Sequence, residues 1–449
     1  MSIRSNQVVF LLIFSAILGI IFGLFSNAIL INYVAIGTTF FLVALYLLRK
    51  YILLWFFLFI YLVYLSPYLI LYLGAGDFSS WRQGAISDIE NTETLTQLAW
   101  VIILGILMTG IKFNYIDKVK VYSRTRTDYK SVMWAKPVRL AMYVMGLLPM
   151  FIFLLLLSGK SRDIWLEESG AGDVAIINIA FMMIYLCAAY FMTSWARERI
   201  WGLGFMISLA SAVLFAYAGF RYCLVGVALI AVTAYMQKNP IKLSKALFFV
   251  FCAVISYALL TIIAISRNFD VSPITVLMRL ASGELDSLSV ISAAGAHEQN
   301  IYYSYVRTLE HRHIYYGSLY LDVIIRTLPS FIYGNFFDTT RVNDVISSIA
   351  APSTFFDTKL NLGAFFLSEA YLNFGRIGIF IIYFASIYFL DAIESHQEKS
   401  LTQNMMYFVA VANVPNYIYY GSNSIIKIAF YSFVTILIIR TLSGIFRKS

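Results

Sequence analysis

The sequence predicts an all-α polytopic membrane protein. The chain has 449 residues, of which 60% are hydrophobic and only 13% are charged, and its mean hydropathy is +0.78. Soluble domains carry about 25% charged residues. This chain has about half of that share, which is too few charged residues to cover the surface of a soluble protein of this size. Apolar stretches of the length that crosses a bilayer, roughly 20 residues, recur along the chain. These observations favour one membrane domain whose surface is largely covered by lipid.

The apolar stretches predict about twelve spans. They lie near 7–26, 29–48, 51–73, 95–112, 138–158, 173–193, 200–219, 222–236, 246–265, 375–391, 405–420 and 423–445. The first stretch is near spanning length and no small-residue cleavage site follows it, so we interpret it as a retained helix rather than a signal peptide. The predicted organisation is spans one to nine in 1–265, a large loop in 266–365 and spans ten to twelve in 366–449.

The charges of the short loops predict the orientation. Basic residues cluster at 49–50, 112–139, 197–199, 238–245 and 447–448, whereas the intervening loops are acidic. Because basic loops stay on the cytoplasmic side, both termini are predicted to be cytoplasmic and the 266–365 loop to lie on the outer face. The segment 392–404 is an exception to this rule. The count of spans places it on the cytoplasmic side, yet it is slightly acidic. Topology explains the net charge of +9 better than nucleic-acid binding, and we predict no nucleic-acid partner.

The large outer loop predicts a helical cap on the membrane domain. A structureless loop of this length is uncommon in a compact protein, and 272–291 and 318–333 carry apolar residues at helical spacing. Its cations are almost all arginine, and they include Arg267, Arg279, Arg326 and Arg341. The planar guanidinium binds phosphate with two parallel hydrogen bonds. These four arginines are therefore candidate ligands of a pyrophosphate, although pairing with carboxylates inside the cap is the alternative.

Two further places carry candidate functional residues. Arg221 lies between two apolar segments on the predicted outer side, where a lone cation breaks the charge trend, so it is a functional candidate or an arginine that reaches the lipid headgroups. The segment 362–380 carries Glu369, Tyr371, Asn373 and Arg376. On a helix, positions 369 and 373 share a face, and Gly375 and Gly378 would let the chain turn into the membrane. Glu369 is a candidate base or acceptor-orienting group, with helix capping or ion pairing as the alternative.

The histidines give a weaker signal. His311 and His313 are two residues apart and no further ligands accompany them, so we predict no metal site. One of the outer-loop histidines, His297, His311 or His313, could instead accept a proton, and we include His313 among the candidate substrate-binding residues. Motifs of nucleotide-driven transport and of the common hydrolases are absent from the sequence.

The segments around Arg221 and Glu369 resemble a known family. The turn Gly219-Phe220-Arg221, the long late outer loop with YLDVIIRTLPSFIYG, and then SEAYLNFGRIGI are similar to the corresponding parts of O-antigen polymerases of the Wzy type. The likeness covers the overall topology and, in more detail, 266–380. O-antigen ligases have a related layout. A lipid-linked glycan flippase, another secondary transporter and a non-enzymatic partner in glycan export are further alternatives.

This resemblance implies a metal-independent, cofactor-free membrane glycosyltransferase with a GT-C-like fold in the bacterial inner membrane. Such an enzyme joins glycan repeat units carried on undecaprenyl pyrophosphate at the periplasmic face, beside membrane lipids and a chain-length co-polymerase. It implies that Arg221 and the loop arginines hold pyrophosphate and that Glu369, with Tyr371, Asn373 and Arg376, belongs to the motif that shapes the acceptor side.

Overall fold

The chain folds into α-helices in a computed structural model, and the part that the structure describes contains no strand. The described residues are 27–72, 99–101, 103–105, 136–156, 171–198, 202–238, 262–263, 266, 271–284, 296–311, 313–325, 345–346, 348–349, 365–397, 401–422, 426, 429–430 and 432–437. This confirms the predicted all-α class for these residues.

The longer described helices are numbered here in chain order. They are α1 (Asn27–Leu47), α2 (Tyr51–Tyr72), α3 (Lys136–Leu156), α4 (Ala171–Glu198), α5 (Leu203–Tyr217), α6 (Arg221–Lys238), α7 (Pro273–Ala281), α8 (Ala296–Glu310), α9 (Ser318–Ile325), α10 (Phe366–His396) and α11 (Leu401–Tyr420). The predicted segments 29–48, 51–73, 138–158, 173–193, 200–219, 222–236 and 405–420 coincide with helices to within a few residues. Their helical state is confirmed.

Within the described ranges, three stretches are long and apolar enough to cross a membrane. They are Val138–Leu156, Ile176–Thr193 and Phe366–His396, and shorter apolar helices accompany them. The predicted span 7–26 and most of 95–112, 246–265 and 423–445 lie outside the described residues. The chain therefore has candidate membrane-spanning helices, while the number of about twelve spans stays a prediction.

Helix α11 occupies the centre of the bundle. It packs against α4 and α6 on one side and against α2 and α10 on the other. Almost every described side chain between Asn404 and Tyr419 is buried, which is expected of a helix that other helices surround. The C-terminal end of α11 is consequently held inside the protein.

Helix α3 carries an exposed apolar face. The exposed side chains recur at helical spacing: Leu140, Val144, Leu147, Leu148, Phe151, Leu154 and Leu155. Leu155 is 83% exposed and Leu140 is 65% exposed. Soluble monomers rarely show a continuous apolar patch of this kind, so the face fits contact with lipid.

A sharp break divides α10 near its N-terminus. Gly375 has φ 65° and ψ −156°, a backbone conformation that is essentially restricted to glycine. Three residues later, a Cβ at Gly378 would overlap the backbone carbonyl oxygen of Ala370. The structure has a break at Gly375, one of the two glycines predicted to let the chain turn, and the helix begins at Phe366 and ends at His396, beyond both predicted limits of 375–391.

Replacing Gly378 with alanine is expected to lower the free energy of unfolding by about 1–3 kcal/mol, as overpacking does. The new methyl group would meet backbone, which cannot rotate away as a flexible side chain can. The midpoint of thermal unfolding in detergent measures the effect. Ile377→Ala is the matched control, because Ile377 is 70% exposed in the same turn. Equal midpoints for the two variants would contradict the close approach.

The described part of the predicted cap is helical, as expected, but its first helix is shorter than the predicted 272–291. The side-chain oxygen of Ser272 accepts a hydrogen bond from the Thr275 N–H, with Pro273 in the first turn, and the helix ends before a turn at Ser282 and Gly283 (φ 76°). These are ordinary helix start and stop signals. Helix α9 begins at Ser318 as predicted, and its predicted end near Pro329 lies outside the described residues.

The opposite end of α10 holds a buried charge cluster. Asp391 accepts a hydrogen bond from Lys50 Nζ at 2.7 Å, and both side chains are largely buried. One turn further, Glu394 accepts hydrogen bonds from the Ile52 N–H at 3.2 Å and from the Tyr407 hydroxyl at 3.3 Å. The cluster ties the turn between α1 and α2 to α10 and α11. This contact gives a physical reason for the acidic character of 392–404, which departs from the positive-inside trend. Glu394 accepts a hydrogen bond from the buried N-terminal turn of α2.

Candidate functional site

Glu369 is buried in the first turn of α10 and contacts the end of α11. Its side chain is 1% exposed. One carboxylate oxygen accepts a hydrogen bond from the Ser422 hydroxyl at 2.5 Å, and the other accepts one from the Ser422 N–H at 2.7 Å. Tyr417, in the last turn of α11, reaches α10 through a hydroxyl contact with Ser386 at 2.6 Å. The carboxylate therefore joins two helix ends whose residues are 53 positions apart.

Several polar atoms near Glu369 in the chain or in space have no partner among the described residues. In the described part of the chain, the buried atoms Ser368 Oγ, Asn373 Oδ1 and Tyr320 Oη have no hydrogen-bond partner. Asn373 uses only its amide nitrogen, which donates to the Glu369 carbonyl oxygen at 2.9 Å. Burial raises the pKa of the Tyr320 hydroxyl, and the nearby Glu369 charge raises it further. Since buried polar atoms are nearly always hydrogen-bonded, this group has the donors and acceptors to bind a polar ligand.

Tyr371 connects the start of α10 to the segment between α8 and α9. Its hydroxyl donates to the backbone carbonyl oxygens of Leu309, at 2.9 Å, and His311, at 3.4 Å. The Tyr315 N–H donates to the Leu372 carbonyl oxygen at 2.8 Å. The chain between α8 and α9 is thus held against the start of α10.

The two histidines of this connection lie close together. The ring centroids of His311 and His313 are 6.3 Å apart, and that of Tyr315 lies 4.7 Å from His313. Partial burial and the neighbouring His313 lower the pKa of His311. The shift favours a neutral imidazole at neutral pH, which is the form that accepts a proton.

Arg221 lies at the same end of α11. It is the first residue of α6, after Phe220 and a Gly219 with φ 109°. The next residue, Tyr222, contacts the rings of Tyr419 and Tyr420, with centroids 5.1 Å and 5.6 Å away. Those tyrosines directly precede Gly421 and the Ser422 that binds Glu369.

The Arg221 guanidinium is half-buried and has no hydrogen-bond or ion-pair partner among the residues that the structure describes. A cation at a helix N-terminus opposes the helix dipole, so this position does not stabilise the helix. The Arg221 guanidinium is suited to bind an anion.

The other predicted site residues are distributed differently. Arg376 is exposed on α10 just after the break, and Arg279 is exposed on α7. Arg267, Arg326 and Arg341 lie outside the described residues. The structure brings Glu369, Tyr371, Asn373 and the connection with His313 together, and it adds Arg221 at the same end of the bundle.

Ser422 and Tyr320 were not predicted from the sequence. Both are common polar residues next to apolar segments, and nothing local distinguishes them. The only signal was indirect, since Ser422 follows the aromatic cluster NYIYYG at the end of a predicted span.

This chain matches no protein-family model, no curated protein and no solved structure in the comparisons with each.

Proposed function

We propose that this chain is a membrane glycosyltransferase that polymerises oligosaccharide repeat units carried on undecaprenyl pyrophosphate, of the kind found in O-antigen polymerases. The observation that carries the proposal is the position of Arg221 and Glu369. Among the described residues, a guanidinium without a partner and a buried carboxylate near unpartnered polar atoms occur at one end of the same central helix. The proposal further takes the chain to have about twelve spans in a GT-C-like arrangement, with both termini in the cytoplasm.

The proposed reaction needs two kinds of group. A hydroxyl of the acceptor glycan attacks the anomeric carbon of the donor glycan, the bond from that carbon to the pyrophosphate oxygen breaks, and undecaprenyl pyrophosphate leaves. Negative charge then develops on the leaving pyrophosphate, where a cation stabilises it. Arg221 is the candidate for that role, assisted by the loop arginines.

Glu369 is the candidate for the acceptor side. The attacking hydroxyl must lose its proton, and a carboxylate within hydrogen-bond reach accepts it. A carboxylate has about four lone-pair sites, of which Ser422 occupies two. The remaining sites, with Tyr320 and Asn373, are suited to orient a sugar hydroxyl. No nucleotide sugar enters this reaction, and the proposal includes no cofactor.

The test is the lipopolysaccharide pattern of cells that lack the gene and receive wild type, Arg221→Ala or Arg221→Lys. We expect lipid A-core with a single repeat in the deletion strain and a full ladder only with wild type. Arg221→Lys should restore a short or faint ladder, because lysine keeps the charge but loses the two-pronged contact. Immunoblots confirm equal amounts of protein.

Two outcomes would reject the polymerase. Bare core without a single repeat in the deletion strain would indicate a ligase or a flippase. A full ladder with Arg221→Ala would remove Arg221 from the proposed site.

A further inference from the structure

Helix α7 has two different apolar faces. On one side Val276 is fully buried and packs in a small cluster with Ile262, with Val271 and Leu280 against it. The other side exposes Ile274 by 64%, Leu277 by 44% and Met278 by 66%. These three positions share one face of a helix, so the exposed face is apolar and faces away from the described protein.

The contacts of α7 place it beside the end of the predicted span 246–265. Ile262 belongs to the predicted span 246–265, and the Ser266 carbonyl oxygen accepts a hydrogen bond from the Val271 N–H at 2.9 Å. Val276 therefore packs level with the last turn of the predicted span, where hydrocarbon meets the lipid headgroups.

We propose that α7 lies in the membrane–water interface and inserts Ile274, Leu277 and Met278 into the bilayer. Interfacial helices bury an apolar face about 5–10 Å into the headgroup region and keep charged residues at the edge. Arg279 and Thr275 occupy the flank of α7, where an arginine reaches lipid phosphates. The occupant of the exposed face is the lipid surface, because the buried face of the same helix packs on Ile262 at the end of the predicted span 246–265.

This inference depends on the chain crossing the membrane and is independent of the proposed polymerase activity. It places the start of the large loop flat on the membrane surface.

The test uses nitroxide labels on the full chain in lipid nanodiscs. Single cysteines are introduced as Ile274→Cys and Met278→Cys in a chain whose Cys187, Cys223 and Cys252 are replaced with alanine. Glu284→Cys is the exposed polar control just after the helix, and Leu155→Cys on the exposed face of α3 is the lipid control. Collision with oxygen, which concentrates in lipid, is compared with collision with a water-soluble nickel complex.

We expect labels at 274 and 278 to collide more with oxygen than with the nickel complex, shifted from the control at 284 towards the one at 155. Preference for the nickel complex at both positions would overturn the proposal, since the helix would then stand in water. Shielding from both reagents at both positions would also overturn it, because another protein surface would then cover the face. Two positions are used so that one poorly folded variant does not decide the result.

Discussion

Glu369→Gln is expected to abolish polymer synthesis while the protein stays folded. Glutamine keeps the shape of the side chain and an oxygen that accepts from the Ser422 N–H, but it removes the negative charge. If the carboxylate accepts the proton of the attacking hydroxyl, its loss costs about 10²–10⁴-fold in rate. The measurement is polymer formed by purified protein in nanodiscs from lipid-linked repeat units, together with the ladder in cells.

The controls separate chemistry from structure. Ser422→Ala removes a hydroxyl donor to a buried carboxylate and is expected to cost about 1.5–3 kcal/mol of stability. Tyr371→Phe releases the backbone carbonyls of Leu309 and His311 at the same junction. Both variants keep the Glu369 carboxylate, and both should lower the unfolding midpoint yet retain a ladder.

A wild-type rate for Glu369→Gln would remove the carboxylate from the reaction. If Tyr371→Phe and Ser422→Ala lost the ladder as completely as Glu369→Gln, Glu369 would act as a structural joint between α10 and α11. The unfolding midpoint of Glu369→Gln distinguishes a structural role from a catalytic one. The midpoint should fall if Glu369 joins the two helices, and it should stay near the wild-type value if Glu369 acts only as a base.

Local patterns in the sequence predicted the helices and one face of the site. Apolar runs of spanning length gave the positions of α1 to α6 and α11, because in lipid each backbone polar group must be satisfied within its own helix. The four-residue spacing of Glu369 and Asn373 placed them on one face of α10, and the side chain of Asn373 indeed reaches the Glu369 carbonyl. Gly375 marked the break because few other residues tolerate its backbone conformation, and Gly378 lies where a Cβ would meet the Ala370 carbonyl oxygen.

The contacts that assemble the site are between distant parts of the chain, and no local pattern encodes them. Ser422 could not be paired with Glu369 from sequence, since any polar residue near an apolar end has the same appearance. Tyr371 binds backbone carbonyl oxygens, which carry no sequence signature. The length of α7 was overestimated because its apolar spacing continues beyond Gly283, where the positive φ ends the helix.

The charge cluster at the other end of α10 gives the largest expected effect on stability. Removing one member of a buried ion pair leaves an uncompensated charge and costs about 3–5 kcal/mol, whereas replacing both members with apolar residues is often neutral. Lys50→Met and Asp391→Leu are each expected to destabilise the protein by that amount. The double variant should recover most of the loss. Unfolding in mixed micelles measures the four free energies, from which the coupling between the two residues follows.

Arg49→Met is the control for losing a positive charge from this loop, which could by itself affect the orientation of the chain. Arg49 neighbours Lys50 and is exposed, so it contributes the same charge to the positive-inside rule without the buried pair. Its replacement should leave the free energy of unfolding nearly unchanged. A double variant whose loss equals the sum of the single losses would contradict a direct pair and assign the cost to separate roles of Lys50 and Asp391. Recovery in the double variant would instead establish that the acidic end of α10 is held by charge pairing with the turn between α1 and α2.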